Sequence, residues 1–455
     1  MSTVINTRSP FYFKVSNADL STAKLELYIW SGTTSQRTAA YKKYTLSKQQ
    51  LLDEVDRGTA TATTTNKLVD STQNFNTTAQ VGSYITNTTD STTASVTAID
   101  SDTTLSLDTD IMTSGENYIL FAQPYVVFEL SELVRDFMET EYGNYSTDTL
   151  WIETDITIKD SAGAIVQVGG QDITTTQFLG IDGYGYFENG VNPRSTQYST
   201  PMVMQDNNTV YYNDGQDIKM PVYAEASTIT VSLTSGAGAD VYWENADDFW
   251  DTYNVSWGSG TTDIVITDDG NTNQKIQYII ITDTEDLNDG DYVTFSSSNA
   301  SYPDVVITLK KVCEPKYTPM NIIFYNKYGA LQNIWFFKKS STNINITSET
   351  FKNNILDIEN SGGTPSYALT QHQDKKFMVN GKESITVNSG FYSEEYNEII
   401  RQMLLSEQVW IYNLTNTLPI NLKSNSLLFK KSVNEKLITY SISFDYAYDK
   451  INNIL

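Results

Sequence analysis

Few side-chain types carry the chemistry of protein sites, and this chain holds little of the most versatile ones. It has one histidine, His372, and one cysteine, Cys313, among 455 residues. A Ser-His-Asp arrangement would have to use His372. That residue sits in TQHQDKK, downstream of Gly362, Gly363 and Pro365, a context that reads as a solvated loop. Cys313 closes a strand-like run and reads as a small buried hydrophobe. With one of each, neither an internal disulfide nor a Cys/His zinc site can form. Carboxylates are plentiful, 55 Asp and Glu against 30 Lys and Arg, so no pair stands out as the flanking acids of a glycosidase. Asp283, Glu285, Asp286, Asp289 and Asp291 surround Gly290, an oxygen-rich stretch whose spacing does not follow a calcium-loop pattern. Trp243, Trp250 and Trp257 recur every seven residues. If Glu244–Tyr253 is a short helix, the first two share a face, for packing or for stacking on a sugar. Gly180–Ser199, GIDGYGYFENGVNPRSTQYS, is a Gly- and Tyr-rich stretch that reads as a long surface connection or a binding loop. No reaction, cofactor or metal is expected from these residues.

The net charge of −25 and a pI near 4.3 repel phosphate backbones and anionic membrane surfaces, so direct nucleic-acid binding is not expected. No apolar run approaches the roughly 18 residues of a membrane span. The first residues, MSTVINTRSPF, lack an apolar signal core. The expectation is a soluble protein made in a cytoplasm, which the scarcity of cysteine fits.

The elements that must position these residues are mostly strands. With 30 Tyr, 18 Phe and abundant Thr, the composition favours them. Ala23–Trp30 alternates Leu25, Leu27 and Ile29 with Lys24, Glu26 and Tyr28, the period of a half-buried strand, and Tyr41–Lys48 continues it after a polar turn. Arg57–Phe121 then changes to Thr, Ser, Asp and Ala, with strands expected at Thr92–Ile99 and Thr103–Leu107 around a turn at Asp100–Asp102. Its apolar positions, among them Val81, Ile85, Val96, Leu105 and Ile119, keep strand spacing, and helix signals are nearly absent. It reads as a small closed β-module inserted in a loop of the first domain. Beyond it come a strand at Tyr125–Leu130, a Ser131-capped helix over Glu132–Glu141 stopped by Gly143, and an alternating strand at Leu150–Ile158.

Met220–Val312 reads as a second β-domain, with strands near Ser227–Leu233, Asp263–Thr267, Ile276–Thr282, Tyr292–Ser296 and Val305–Lys311. Pro315 and Pro319 make a stiff joint to a strand–turn–strand unit, Met320–Tyr325 and Ile334–Phe337, turning at Asn326–Gly329. The clearest helix follows Ser393, with Tyr396, Ile399, Ile400, Met403 and Leu404 on one stripe. It lies between strands at Ser384–Asn388 and Gln408–Asn413; Leu418–Leu422, Leu427–Lys431 and Leu437–Tyr446 complete an antiparallel sheet.

Several of these stretches look familiar together. LELYIW, YNKYGALQNIWFFKKS, GFYSEEYNEIIRQMLLSEQVWI and SISFDYAYDKINNI resemble structural virion proteins of tailed bacteriophages infecting Bacteroidota, crAss-like phages included. KLVDSTQNFN and VGSYITNTTDSTTASVTAIDSDTTLSL resemble a small β-module inserted into many phage structural proteins. The resemblance implies a tail, neck or baseplate component that is assembled into a virion after synthesis in the host cytoplasm. It implies other virion proteins as partners and a homo-oligomeric ring.

The expected architecture is mainly β, with multidomain sandwich- and barrel-like modules and one amphipathic helix in each of the first and last domains. The expected divisions are 1–56 with 122–200, an insert at 57–121, a second β-domain at 201–316 and an α+β domain at 317–455. The expected function is structural, through subunit contacts in a ring. The alternative is a receptor-binding protein gripping host glycans. The aromatic residues expected at an interface are Tyr184, Tyr186, Phe187, Tyr325, Tyr328 and Trp335.

Overall fold

The computed structural model describes residues 3–33, 37, 40, 42–138, 142, 149–225, 228–234, 241–244, 264–266, 275–282, 284, 287–312, 316–356, 364–423 and 437–451. The protein is mainly β, in several sheets. It divides into two compact units, residues 1–200 with 269–275 and residues 201–268 with 276–455.

The first unit begins with β1 (Thr3–Asn6), β2 (Tyr12–Ser16), β3 (Thr22–Trp30) and β4 (Lys42–Gln49). The insert follows as β5 (Glu54–Thr59), β6 (Ala62–Thr64), β7 (Lys67–Val69), α1 (Phe75–Thr78), β8 (Tyr84–Asn87), β9 (Thr93–Ser101), β10 (Thr104–Leu107) and β11 (Asn117–Phe121). β12 (Tyr125–Glu129), α2 (Ser131–Arg135), β13 (Thr149–Lys159), β14 (Ile165–Val166) and β15 (Thr174–Ile181) complete it. One sheet runs β1-β15-β13-β3-β4, with β14 on β13; β2 and β12 form a second, two-stranded sheet. Leu25, Leu27 and Ile29 from β3 and Leu150, Ile152 and Ile156 from β13 meet Val126, Phe128 and Val134 in one core. The inward positions of the period-two reading hold in both long strands; in β13 the alternation of burial begins only after Ile152, because Trp151 is buried too. Their outer face is charged: Lys24 and Lys43 pair with Glu26, and Arg37 lies over the Tyr28 ring beside Asp155.

The insert is a sheet in the order β5-β11-β8-β9-β10-β7-β6. Its two ends, β5 and β6, are consecutive in the chain and separated by Ala60 and Thr61 alone. Ala60 N–H donates to Glu116 O on one side and Thr61 N–H to Val69 O on the other. One bent segment thus supplies both edges, and the sheet closes on itself around Leu68, Phe75, Ile85, Val96, Leu105 and Leu120. Joining the two end strands in one segment is how a small barrel limits its exposed edges. Three details differ from the sequence expectation. β11 turns Tyr118 and Leu120 inward and leaves Ile119 half-buried, and Val81 lies exposed in a turn. A one-turn helix, α1, places Phe75 in the core where no helix was expected.

The first amphipathic helix is shorter than expected. α2 ends at Arg135, and the chain tightens through bonds from Phe137 N–H to Val134 O and Met138 N–H to Arg135 O. Ser131 does not cap it: Leu130 holds that position, and the Ser131 hydroxyl donates to Glu129. The remainder of the expected helix, and Gly143, lie outside the described residues.

The second unit contains β16 (Thr209–Tyr212), β17 (Ile218–Tyr223), β18 (Ile229–Thr234), β19 (Val241–Glu244), β20 (Ile264–Ile266), β21 (Ile276–Ile281), β22 (Tyr292–Ser297) and β23 (Val305–Lys311). These make two sheets, β16-β23-β22-β18-β20 and β17-β21-β19. β24 (Met320–Tyr325), β25 (Leu331–Phe336), β26 (Ser341–Lys352), β27 (Asp374–Ser393), α3 (Tyr396–Leu405), β28 (Val409–Tyr412), β29 (Thr417–Leu422) and β30 (Leu437–Tyr446) follow. They form the sheet β25-β24-β28-β29-β30-β27-β26. Beyond β25, Phe337 and Lys338 N–H donate to Ser389 and Asn388 of β27, so this sheet also curls back toward its own beginning. α3 lays Tyr396, Ile399, Ile400 and Met403 into its core, as the stripe predicted. Ser393 is not the cap; it ends β27, and Glu395 precedes the helix. Tyr211 of β16 joins the same core beside Tyr392 and Tyr396, whose rings stack at 4.3 Å. Residues assigned to the second and last expected domains thus share one compact unit.

Glu244, expected to open a helix, lies in strand β19. Trp250, Trp257, Cys313, Pro315 and the strand expected at Leu427–Lys431 lie outside the described residues. His372 is exposed in the loop before β27.

Candidate functional site

Of the six aromatic candidates, three lie on one loop, Asp182–Ser195, which follows β15 in the first unit. The loop is pinned to the segment from Asn6 to Tyr12. The Asn192 side chain brackets the Tyr12 backbone, accepting from its N–H at 2.7 Å and donating to its carbonyl at 2.9 Å. Gly185 N–H donates to Ser9 Oγ at 2.8 Å, and the Asn6 amide donates to Pro193 O. Arg194 donates to the Tyr184 carbonyl, and the Arg8 guanidinium lies 4.8 Å from the Tyr184 ring centre. Asn192 and Arg194 both adopt left-handed backbone, φ 50° and 54°. Such conformations persist where surrounding bonds hold them. At Gly185 any Cβ would run into the Pro193 ring, so the two strands of the loop approach more closely there than another residue would allow.

On this braced frame Tyr184 is buried, and its ring meets that of Tyr186 edge-on at 5.8 Å. Tyr186 N–H donates to Asn189 Oδ1 at 2.7 Å, which fixes the single 3-10 turn Phe187–Asn189. Phe187 stands at its start, 99% exposed, with Val191 also exposed nearby. A fully wet phenylalanine on a rigid loop is costly in water. Burying it against a partner would recover about 1.5–3 kcal/mol with little ordering entropy left to lose.

The other three candidates belong to the fold of the second unit. Tyr325 is 2% exposed and Trp335 6%, both within the core around β24 and β25. Their strands are buried on both faces, which removes them as interface anchors. Tyr328, half-buried in the turn after β24, donates to Asp206 Oδ1 at 2.7 Å. Asp206 also pairs with Lys327 at 2.8 Å and accepts from Gln402, while Asn326 donates to Met204 O. This network ties the segment before β16 to the last sheet, and the role of Tyr328 there is structural.

Among the described acidic residues near Gly290, Asp289 accepts from Lys311 N–H and Asp291 from Asn288 N–H, both as turn braces. Lys311 Nζ pairs with Asp214 at 2.6 Å. Burial, with Asp291, Asp214 and Asp289 nearby, pushes the Tyr212 phenol up to about 12, so it stays protonated. Among the described residues, no three His, Cys, Asp or Glu side chains are grouped to hold a metal ion, and no helix is long and apolar enough to cross a membrane.

Between the insert and the larger sheet of the first unit lies an open polar cleft of about 490 Å³, lined by Asp19, Gln50, Tyr84, Asp108 and Asp160 among others. The bracing residues Asn6, Arg8, Asn192 and Arg194 were not legible as a set. The Asn-Pro and Gly punctuation marks a turn but not its distant partners. No protein-family model matches the sequence, and comparison with curated proteins finds no significant match.

Proposed function

We propose that the chain is a structural virion protein of a tailed bacteriophage, making subunit contacts in a tail, neck or baseplate ring. The observation that carries the reading is Phe187, an exposed aromatic anchor on a loop braced by the side chains of Asn6, Ser9, Asn192 and Arg194. Interface energy concentrates in such preorganised aromatic positions. The mainly β architecture, the acidic charge and the resemblance of several segments to phage structural proteins support the same reading. It assigns the chain no reaction and no cofactor.

The test is quantitative mass spectrometry of purified particles. The chain is expected at a fixed copy number set by the symmetry of one ring; its absence from particles overturns the reading. Phe187→Ala should leave the melting temperature unchanged, because the side chain touches nothing, and should lower incorporation into particles. A second reading, glycan binding at the host surface, draws on the polar cleft with Tyr84 and three carboxylates. A glycan array that binds wild type and loses binding with Tyr84→Ala would favour it.

A further inference from the structure

Part of the last sheet lies outside its core. Ser384–Ser393 of β27 pairs with β30, but Asp374–Glu383 pairs along its length with β26. Every residue of β26 is exposed, as is β27 from Asp374 to Val379. At about 3.4 Å per residue, β26 reaches roughly 40 Å. A two-stranded ribbon in water is marginally stable at best, because neither face is removed from solvent. This one nevertheless carries Ile344, Ile346, Phe351, Phe377, Met378 and Val379. Ile346 is 63% exposed and Met378 76%. Phe351 and Phe377 meet edge-on at 5.7 Å, and Ile344 lies over Gly381, where a Cβ would come within 3.0 Å. These contacts stiffen the ribbon and leave the rest of its apolar surface wet. Among the described residues the outer edge of β26 pairs with no strand. It holds no proline and, before Lys352, one charge, Glu349; the one device that interrupts this edge is the break in register between Thr347 and Glu349, opposite Met378 at φ 48°.

Charge indicates what covers it. The ribbon has four lysines, Lys352, Lys375, Lys376 and Lys382, against Glu349, Asp374 and Glu383. It is therefore slightly basic on a chain whose net charge is −25. Another copy of the chain offers the acidic complement away from its own ribbon. Ribbon against ribbon would instead bring together two surfaces that are each slightly basic. We propose that the β26–β27 ribbon is an assembly arm that docks on the acidic surface of a second copy of this chain, in a head-to-tail contact. Such contacts generate rings when their rotation closes, and complementary charge selects their orientation.

This deepens the subunit reading by naming a surface, but its test uses the purified chain alone, so the virion assignment can fail separately. Sedimentation velocity from micromolar concentration upward should show a mass that rises above the monomer. Ile346→Ser with Met378→Ser should weaken self-association at least tenfold, as should Lys375→Glu with Lys376→Glu. Both pairs should melt like wild type, because the replaced side chains are exposed. A chain that stays monomeric throughout overturns the proposal. So does association indifferent to both pairs, or strengthened by the lysine reversals, which is the signature of ribbon-on-ribbon pairing.

Discussion

Glu26, in the outer face of β3, shows how single charges are held on these sheets. Lys24 at 2.7 Å, then Lys43 at 2.8 Å, pull its carboxyl from 4.5 down to about 2. A depressed carboxyl contributes stability that is complete above about pH 4.5 and lost as the pH falls toward 2. Glu26→Gln should therefore melt slightly below wild type at pH 7, with the gap closing between pH 4.5 and 2 in paired thermal scans. The gap should be small and shrink with salt, because both lysines are nearly half exposed. Gly58 illustrates close approach in the insert. A Cβ there would collide with the Asp70 carboxylate and lie 2.7 Å from the Tyr118 hydroxyl, which donates to Asp70 at 2.9 Å in the core. Burial, then Asp70, raises the Tyr118 phenol well above its usual value, so it remains a donor. Gly58→Ala should cost about 1–3 kcal/mol through overpacking, read as a lower midpoint in urea unfolding.

Among the elements, α3 is the clearest case of pattern becoming structure. Its stripe sits in the last core with Ile400 at 0% exposure. Ile400→Asp places an unpaired charge there and should cost about 4 kcal/mol or more. A variant that melts like the parent would mean the stripe does not carry the core. β3 and β13 were equally readable, since Leu25, Leu27 and Ile29 of one and Leu150, Ile152, Ile156 and Ile158 of the other all face the core, although Trp30 and Trp151 are buried as well. β11 was not, because Tyr118, Ile119 and Leu120 are all apolar and the alternation does not say which face is inner. β26 was invisible for the opposite reason. Its Asn-Ile-Asn-Ile pattern sits on a ribbon with no buried face, so strand spacing and burial never coincide.

In the whole molecule, the insert is the most separable part. Its core shares no residue with the neighbouring sheets, and the cleft lies between them. Its ends are already joined: Glu54 pairs with Phe121, Ala122 N–H donates to Asp53 O, and Leu51 bridges Tyr125. Replacing residues 55–120 with a Gly-Asn turn should leave a soluble protein with a cooperative thermal transition, followed by circular dichroism. Unfolding of the first unit after that replacement would show that the insert completes its core.

By itself the sequence determined the mainly β fold class and much of the strand and helix content. Period-two and 3.6-residue patterns are local consequences of which face meets a core, and one histidine with one cysteine bounds the chemistry. Tertiary structure alone decided which aromatic residues are available to a partner. Tyr325, Trp335 and Phe187 are similar side chains in similar local company. The first two sit on strands covered on both sides, whereas Phe187 rides a loop held out by residues some 180 positions away in the chain. It also decided how the insert closes its sheet, through one segment bent at Ala60 and Thr61, and that β26 and β27 extend as a ribbon. Exposure and closure depend on contacts between distant residues, and local pattern does not encode them.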